Sequence, residues 1–279
     1  MEKRNDQGYK KADLGLANLR CQQCGHQALI NQYHCFDMGL NPQWKEVLMK
    51  GEFFHWECPE CGAKMELSYP CRYFDPEQRL SIALVPGLDV GGGQETKDRI
   101  ASMNERLQDL GTPGFLHRAA GTFFAVQELV RLREEGLDDR IVQLLKPLII
   151  GALQSEGLQV WNGFFVEVED PESPEAQLRI NAGKAQPPQG VIYISLEQNQ
   201  NSIGQERIYW YDIHLTDRQI LRRGINETAY HICRNMLLAG GTGDGESGET
   251  AAETAWDDGQ FHLYDLNWAI DIHNQRNHR

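Results

Sequence analysis

The chain has 279 residues, which fits one large domain or two smaller ones. Hydrophobic residues make up 41% of it and charged residues 24%, and this composition excludes a globally disordered chain. The 27 Lys and Arg against 40 Asp and Glu give a formal charge of −13, and so acidic a surface repels nucleic acid at long range.

The sequence predicts no export signal and no membrane segment. The first eight residues are polar, and no apolar stretch follows them. The most apolar run, 144–153, contains Lys146 and Pro147 and is shorter than the roughly 18 residues that span a bilayer. We therefore expect a cytoplasmic protein, in which seven cysteines indicate metal ligands or reactive thiols rather than disulfides.

Two cysteine pairs dominate the amino-terminal half. After a polar tail, residues 1–17, come Cys21 and Cys24, and later Cys58 and Cys61, each pair followed directly by Gly. A short helix is predicted to have Asn41 as its N-cap, to begin at Pro42 and to stop at Gly51. Alternating or apolar runs predict strands over 28–34, 53–56, 64–69 and 80–85.

Helices follow a predicted flexible joint, Gly91–Gly93. Their composition and spacing predict helices over 95–110 and 122–135, and Asp138 with Asp139 opens a further helix whose apolar residues fall on one stripe. Pro147 is expected to kink this last helix. The last two helices are predicted to form a hairpin that packs on the sheet.

Strands return after residue 157. They are predicted over 160–161, 164–168, 191–196 and 208–213, and Thr216 is predicted to cap a helix over 217–238. Residues 240–258 form an acidic, Gly-rich linker, and the chain ends in an aromatic, His-rich segment from Phe261 to Arg279 in which a short helix is expected.

These elements predict an α+β protein: a zinc-ribbon-like antiparallel β module with a packed helical hairpin, then a second α+β region. The predicted divisions are, in chain order, a polar tail at 1–17, the ribbon and helices at 18–156, the second region at 157–239, the linker at 240–258 and the carboxyl-terminal segment at 259–279.

The two cysteine pairs predict one structural zinc ion held by Cys21, Cys24, Cys58 and Cys61. Thiolates at i and i+3 around a tight turn can point at one cation, and two such turns supply a tetrahedron of sulfur. The separation of the pairs, residues 25–57, exceeds the roughly 15–20 residues of common ribbons. Doubling a loop costs only about 0.6 kcal/mol, whereas zinc binding contributes about 10–16 kcal/mol, so the insertion is tolerated. A redox pair and an iron–sulfur site remain alternatives.

The other candidate ligands have simpler interpretations. Cys35, Cys71 and Cys233 lack partners at ligand spacing and are interpreted as small buried apolar residues. His26 and His34 lie near the first pair, but four cysteines already complete a ligand set.

The residues around the second pair resemble the CpXC-domain proteins, a bacterial and archaeal family without an established activity. The resemblance covers about residues 19–150; it is carried by the segments 48–53, 58–62 (Cys-Pro-Glu-Cys-Gly), 73–75 and 136–146. Gln22 stands where the family has proline, which affects the rigidity of the turn more than metal binding. The resemblance implies a zinc-ribbon-like module joined to helices and implies no reaction.

The sequence favours a non-enzymatic zinc protein that acts as an interaction or scaffold component of a bacterial assembly, and it names no catalytic residue. The partner is expected to be a protein, bound through the segment from Phe261 to Arg279, whose apolar residues recur at helical spacing. One alternative is a thiol oxidoreductase that uses Cys58 and Cys61.

Two further alternatives stay open. An enzyme could have its site within 158–279, with His214, His231 or His262 involved. A nucleic-acid-binding ribbon is disfavoured by the net charge, although the basic residues Lys45, Lys50, Lys64 and Arg72 lie near the ribbon in sequence.

Overall fold

The computed structural model describes residues 14–88, 93–107, 114–173, 190–192, 194, 206–239 and 260–264. Within these ranges it contains thirteen strands and five α-helices, which confirms the predicted α+β class. The chain divides into two compact units, one containing the described residues 14–127 and 260–264, the other those of 128–239. This division falls inside a helix, whereas the sequence places its boundary after residue 156.

The first unit contains two short antiparallel hairpins, each with a cysteine pair. Strands β1 (Leu14–Arg20) and β2 (Gln27–Tyr33) form one hairpin, and β4 (His55–Glu57) and β5 (Lys64–Glu66) form the other. Each is a separate two-stranded sheet among the described residues. A hairpin of two strands is marginally stable alone, so these need another constraint.

The first unit also contains a five-stranded sheet. Its strands are β3 (Cys35–Asp37), β6 (Cys71–Asp75), β7 (Leu80–Leu84), β8 (Leu116–Ala120) and β13 (Phe261–Leu263), in the order β13-β8-β7-β6-β3. Only the β6–β7 pair is antiparallel. The turn between them is closed by the buried Asp75, whose carboxylate accepts hydrogen bonds from the amides of Glu77 and Gln78 and from the Tyr73 hydroxyl.

An aromatic core lies beside this sheet. The rings of Tyr33, Phe36, Trp44 and Phe53 contact one another with centroids 4.8–6.0 Å apart. Trp44 belongs to helix α1 (Trp44–Met49) and is fully buried. Such rings bury large apolar areas, so the core fixes the segment that joins the two cysteine pairs. A 3₁₀ turn, Glu52–Phe54, leads from α1 into β4.

Helices α2 (Gln94–Leu107) and α3 (Phe123–Glu134) follow, and α3 runs from the first unit into the second. In the second unit, helix α4 (Asp139–Ser155) continues through Pro147. Its N-cap is Asp138, which accepts a hydrogen bond from the amide of Arg140, as the sequence predicts for this acidic pair.

A four-stranded sheet completes the second unit. It consists of β9 (Val160–Glu169), β10 (Val191–Ile192), β11 (Ile208–Leu215) and β12 (Ile220–Asn226), in the order β10-β12-β11-β9. Helix α5 (Glu227–Ala239) follows β12 and packs against α4. Buried aromatic residues of β9 and β11, such as Phe165 and Tyr211, form the core.

The predicted helix over 217–238 is wrong in its first half. Gln219 donates its amide to the Asp217 carboxylate and Arg218 adopts a left-handed conformation, so the chain turns back into strand β12. Gly224 is required in that strand, because a Cβ there would lie 2.7 Å from Ile208. Helix α5 begins only at Glu227.

Other predicted boundaries are also corrected. Helix α1 begins at Trp44 rather than Pro42, and the end of the predicted tail, from Leu14, belongs to β1. Strand β8 was not predicted. Phe261–Leu263 forms strand β13 rather than the expected helix, while the linker 240–258 and most of the joint at Gly91–Gly93 lie outside the described residues. Among the described helices, none has both the length and the apolar character needed to cross a membrane.

Candidate metal centre

The first cysteine pair lies in the turn between β1 and β2. The amide of Cys21 donates to the carbonyl of His26 at 2.8 Å, and the amide of Gly25 donates to the carbonyl of Cys21 at 2.9 Å. Gly25 has φ of +77°, a left-handed conformation that costs a residue with a Cβ about 1–2 kcal/mol. The Gly after the pair therefore closes a tight turn with both thiols on it.

The second pair repeats this geometry between β4 and β5. The amide of Cys58 donates to the carbonyl of Ala63 at 2.9 Å, and the amide of Gly62 donates to the carbonyl of Cys58 at 2.9 Å. Gly62 has φ of +68°. The same five-residue sequence pattern, Cys-x-x-Cys-Gly, thus forms the same turn twice.

The two turns bring all four sulfurs together. Cys21 Sγ lies 3.7 Å from Cys61 Sγ, and Cys24 Sγ lies 3.6 Å from Cys58 Sγ. All four Sγ atoms lie within 4.8 Å of one another. All four are free thiols; Cys21 and Cys58 are buried, and Cys24 and Cys61 are exposed. The structure therefore assembles the four cysteines that the sequence singled out, although the pairs are far apart along the chain.

The sulfur spacing fits a tetrahedral metal ion. With metal–sulfur bonds of about 2.3 Å, the edge of a sulfur tetrahedron is about 3.8 Å long. The two measured distances lie close to that edge and far above the roughly 2.05 Å of a disulfide bond. Four sulfur ligands complete the coordination of such an ion, so the set leaves no open position for a substrate.

The pKa values of these thiols also favour binding of a metal ion. The backbone amide of Cys24, with further hydrogen bonds that outweigh desolvation, lowers the pKa of Cys21 to about 6. The amide of Ala63 favours the thiolate of Cys61, but desolvation and the neighbouring thiols outweigh it and raise that pKa to about 12. Ionisation of one thiol therefore opposes ionisation of the next, and a divalent cation removes this opposition.

The remaining cysteines and the nearby histidines lie outside the cluster. Cys35 and Cys71 are half-buried in β3 and β6, and Cys233 is buried in α5. His26 Nδ1 lies 3.9 Å from the Glu60 carboxylate. The His34 ring lies against Gly15, 2.5 Å from the position a Cβ would take. Among the described residues, the four-cysteine set is the one group of three or more Cys, His, Asp or Glu positioned for a metal ion.

The residues of the alternative sites lie on several different elements. His214 and His231 lie on different elements of the second unit, and His262 belongs to the first. Of the basic residues near the cysteine pairs, Lys45 Nζ lies 3.7 Å from the Asp75 carboxylate and Lys50 Nζ lies 2.7 Å from that of Glu46. Arg72 donates to the Ser81 hydroxyl, and Lys64 is exposed on β5. Two of these four cations are therefore paired with carboxylates.

A buried ionic cluster in the second unit was not predicted from the sequence. Lys146 Nζ donates a hydrogen bond to one oxygen of the Glu128 carboxylate at 2.7 Å. The other carboxylate oxygen of Glu128 accepts a hydrogen bond from the amide of Phe165, also at 2.7 Å. Glu128 is fully buried, and Lys146 is 5% exposed. The Tyr211 hydroxyl, also buried, has no hydrogen-bond partner within the described residues. A single lysine in the apolar run of α4 was the signal that could have revealed this pair.

Comparison with known protein families gives a match, which covers the four-cysteine cluster. Residues 19–146 match the family described as CpXC protein. No curated protein and no solved structure matches the chain. The matched residues contain both cysteine turns, with their four gathered sulfurs, and the acidic start of α4. The chain therefore contains a CpXC domain over residues 19–146.

Proposed function

We propose that the four cysteines bind one structural zinc ion and that the protein is a non-enzymatic component that binds other proteins. The observation that carries this proposal is the closed set of four sulfurs, all within 4.8 Å of one another and joined across the turns by separations of 3.6 and 3.7 Å. Zinc in a four-thiolate site stabilises a fold and has no coordination position free for chemistry. The match to the CpXC family and the cluster of four cysteines together suggest metal binding.

The zinc would join the tips of two hairpins that have little other support. No residue of β1 is buried, and neither is any residue of β4 or β5. A cross-link between the turns closes the intervening segment, and the free energy of metal binding then becomes free energy of folding. Cys21, Cys24, Cys58 and Cys61 are the residues that would hold the ion.

Metal analysis tests the first part of the proposal. Protein purified without chelator should contain one zinc per chain, whereas a single iron in the same four-thiolate set would give a coloured protein. Cys24→Ser should lose most of the metal. Cys35→Ser is the matched control, because it removes a half-buried thiol outside the cluster and should keep the metal. Absence of zinc from the wild-type protein would overturn the proposal.

The thiol oxidoreductase alternative predicts a different result. A reversible disulfide between Cys58 and Cys61 would release the metal and would form at the potentials of cellular thiols. All four sulfurs lie within 4.8 Å of one another, and separations of 3.6 and 3.7 Å join one turn to the other. This arrangement favours shared metal coordination over a two-cysteine redox centre. Mass spectrometry after oxidised glutathione treatment distinguishes the two.

The second part of the proposal concerns the partner. Phe261 and Tyr264, at the start of the carboxyl-terminal segment, are buried in the first unit, so we assign partner binding to residues 265–279. The test compares proteins that co-purify from the native host with the full chain and with a chain that stops after Tyr264. At least one specific partner should depend on residues 265–279, and retention of every partner by the shortened chain would refute this assignment.

A further inference from the structure

The hairpin of β1 and β2 is almost free of charge and open to solvent. Its two strands of seven residues contain one charged side chain, Arg20, in a chain whose net charge is −13. Leu16 is 69% exposed and Leu29 is 67% exposed. Scattered exposed leucines are ordinary, but two on one small hairpin form a patch that suits a protein interface.

The two leucines lie on the same face of the hairpin. Leu16 is opposite Asn31, and Leu29 is opposite Asn18, so the leucines are diagonal neighbours on adjacent strands. Asn18 and Asn31 are their cross-strand neighbours, and Arg20 lies diagonal to Leu29 on the same face. On the other face, Ala17 is opposite Ile30, and both are half-buried. Both faces therefore have apolar side chains, and pairing with another strand would bury these side chains further.

The outer edge of β1 has no strand beside it within the described part of the chain. Exposed edges are usually protected by lysine, proline or a bulge. Strand β1, with the sequence Leu-Gly-Leu-Ala-Asn-Leu-Arg, has no lysine and no proline, and its register with β2 is unbroken. Its backbone is therefore available to pair with an added strand.

We propose that β1 pairs antiparallel with β1 of a second copy of this chain, about a two-fold axis at Ala17, so that two hairpins join into one four-stranded sheet. This inference goes beyond the proposed function and shares with it only the metal at the tip of the hairpin. The partner is a second copy of the chain, and strand β1 is a different part of the sequence from residues 265–279.

The sequence of β1 is complementary to itself in this arrangement. Full overlap of the seven residues places Ala17 opposite Ala17 of the second copy and Leu16 opposite its Asn18. The leucines at 16 and 29 of both copies then form a continuous diagonal row on one face. Ile30 and Ala17 of both copies form a row on the other face. Arg20 lies opposite Leu14, so no like charges meet.

The charges on the hairpin do not oppose a second copy as the occupant. Two chains of net charge −13 repel each other wherever acidic surfaces meet. Strands β1 and β2 contain no acidic residue, so their contact brings no pair of carboxylates together. An isologous contact also closes on itself as a dimer and leaves no free edge on β1.

Sedimentation equilibrium on the metal-loaded full chain tests the proposal. The wild type should be a dimer. Leu16→Asn and Ala17→Lys should weaken the dimer by at least about tenfold, because they remove apolar contact or place like charges at the axis. Leu40→Asn is the matched control, since Leu40 is 47% exposed in the same unit but lies outside the hairpin, and it should remain a dimer.

A mixing experiment fixes the axis. Ala17→Lys and Ala17→Glu should each be monomeric, and an equimolar mixture should form a heterodimer, since opposite charges then meet at the axis. A monomeric wild type, or a dimer unaffected by changes at Leu16 and Ala17, overturns the proposal. Metal content is measured on the same samples: a monomer with full zinc refutes the dimer alone, whereas a wild type without zinc refutes the proposed function.

Discussion

Replacement of Lys146 by Met should destabilise the second unit strongly. The ammonium of Lys146 donates to the fully buried Glu128 carboxylate at 2.7 Å, and burial lowers the pKa of Lys146 while that carboxylate opposes the shift. Without the ammonium, the carboxylate keeps one hydrogen bond, from the amide of Phe165. Breaking a buried ion pair by removing one partner costs about 3–5 kcal/mol, and we expect a loss in that range.

The double variant Glu128→Gln/Lys146→Met separates the pair from general damage to the core. The side-chain amide introduced by Glu128→Gln keeps an oxygen that can accept the Phe165 amide but carries no charge. We therefore expect the double variant to recover at least half of the stability lost in Lys146→Met, about 2 kcal/mol, and the coupling free energy to exceed this recovery by the cost of Glu128→Gln alone. Leu148→Ala, at a residue of the same helix that is 40% exposed, should cost less than about 1 kcal/mol.

Hydrogen exchange measured by mass spectrometry gives the opening free energy of peptides from α4 and β9. The expected order of stability is wild type, Leu148→Ala, the double variant and then Lys146→Met. A cost below about 1 kcal/mol for Lys146→Met, or strict additivity of the two single changes, would refute the interpretation of Glu128 and Lys146 as a buried, mutually dependent pair.

Three further variants or residues test individual features. Gly62→Ala should weaken metal binding by about fivefold, because a residue with a Cβ pays about 1 kcal/mol to adopt φ of +68°. Gly87→Ala is the control: Gly87 has φ of +75° but lies away from the cysteines, so this variant should lower stability and leave metal affinity unchanged. Tyr211→Phe removes a buried hydroxyl without a partner in the described residues, so urea denaturation should show equal or about 1 kcal/mol higher stability; a clear loss would contradict this. Burial, and to a lesser extent the neighbouring Cys35, raises the pKa of Cys71 to about 12. The alkylation rate of Cys71 should therefore keep rising with pH beyond about 9, and a plateau near pH ~8.5 would contradict the raised pKa.

The cysteine cluster could be predicted because its information is local. Each Cys-x-x-Cys-Gly sequence specifies a turn by itself, with a left-handed Gly and thiols three residues apart, so spacing alone identified the four cysteines that the fold brings together. The helix start at Asp138 is local in the same way, since the carboxylate caps the amide of Arg140 two residues later.

The missed features depend on partners far away along the chain. The composition of strand β12 resembles that of a helix leading into α5. It forms a strand because the chain turns at Asp217 and because Ile208 of the neighbouring strand lies close to Gly224. Strand β8 pairs in parallel with β7 and β13, and its Arg118 is buried. The strand therefore depends on tertiary contacts, which the alternation of polar and apolar residues in the sequence does not reveal. The Glu128 pair likewise joins residues 18 positions apart on two helices.

X-ray absorption at the zinc edge tests the central claim most directly, because it reports the number and type of ligands around the ion in the full chain. The account predicts four sulfur ligands at about 2.3 Å in the wild type. Loss of Cys61 should reduce that number to three sulfurs or release the zinc. A first shell that contains nitrogen or oxygen in the wild type, or a protein with no bound metal, would contradict the account.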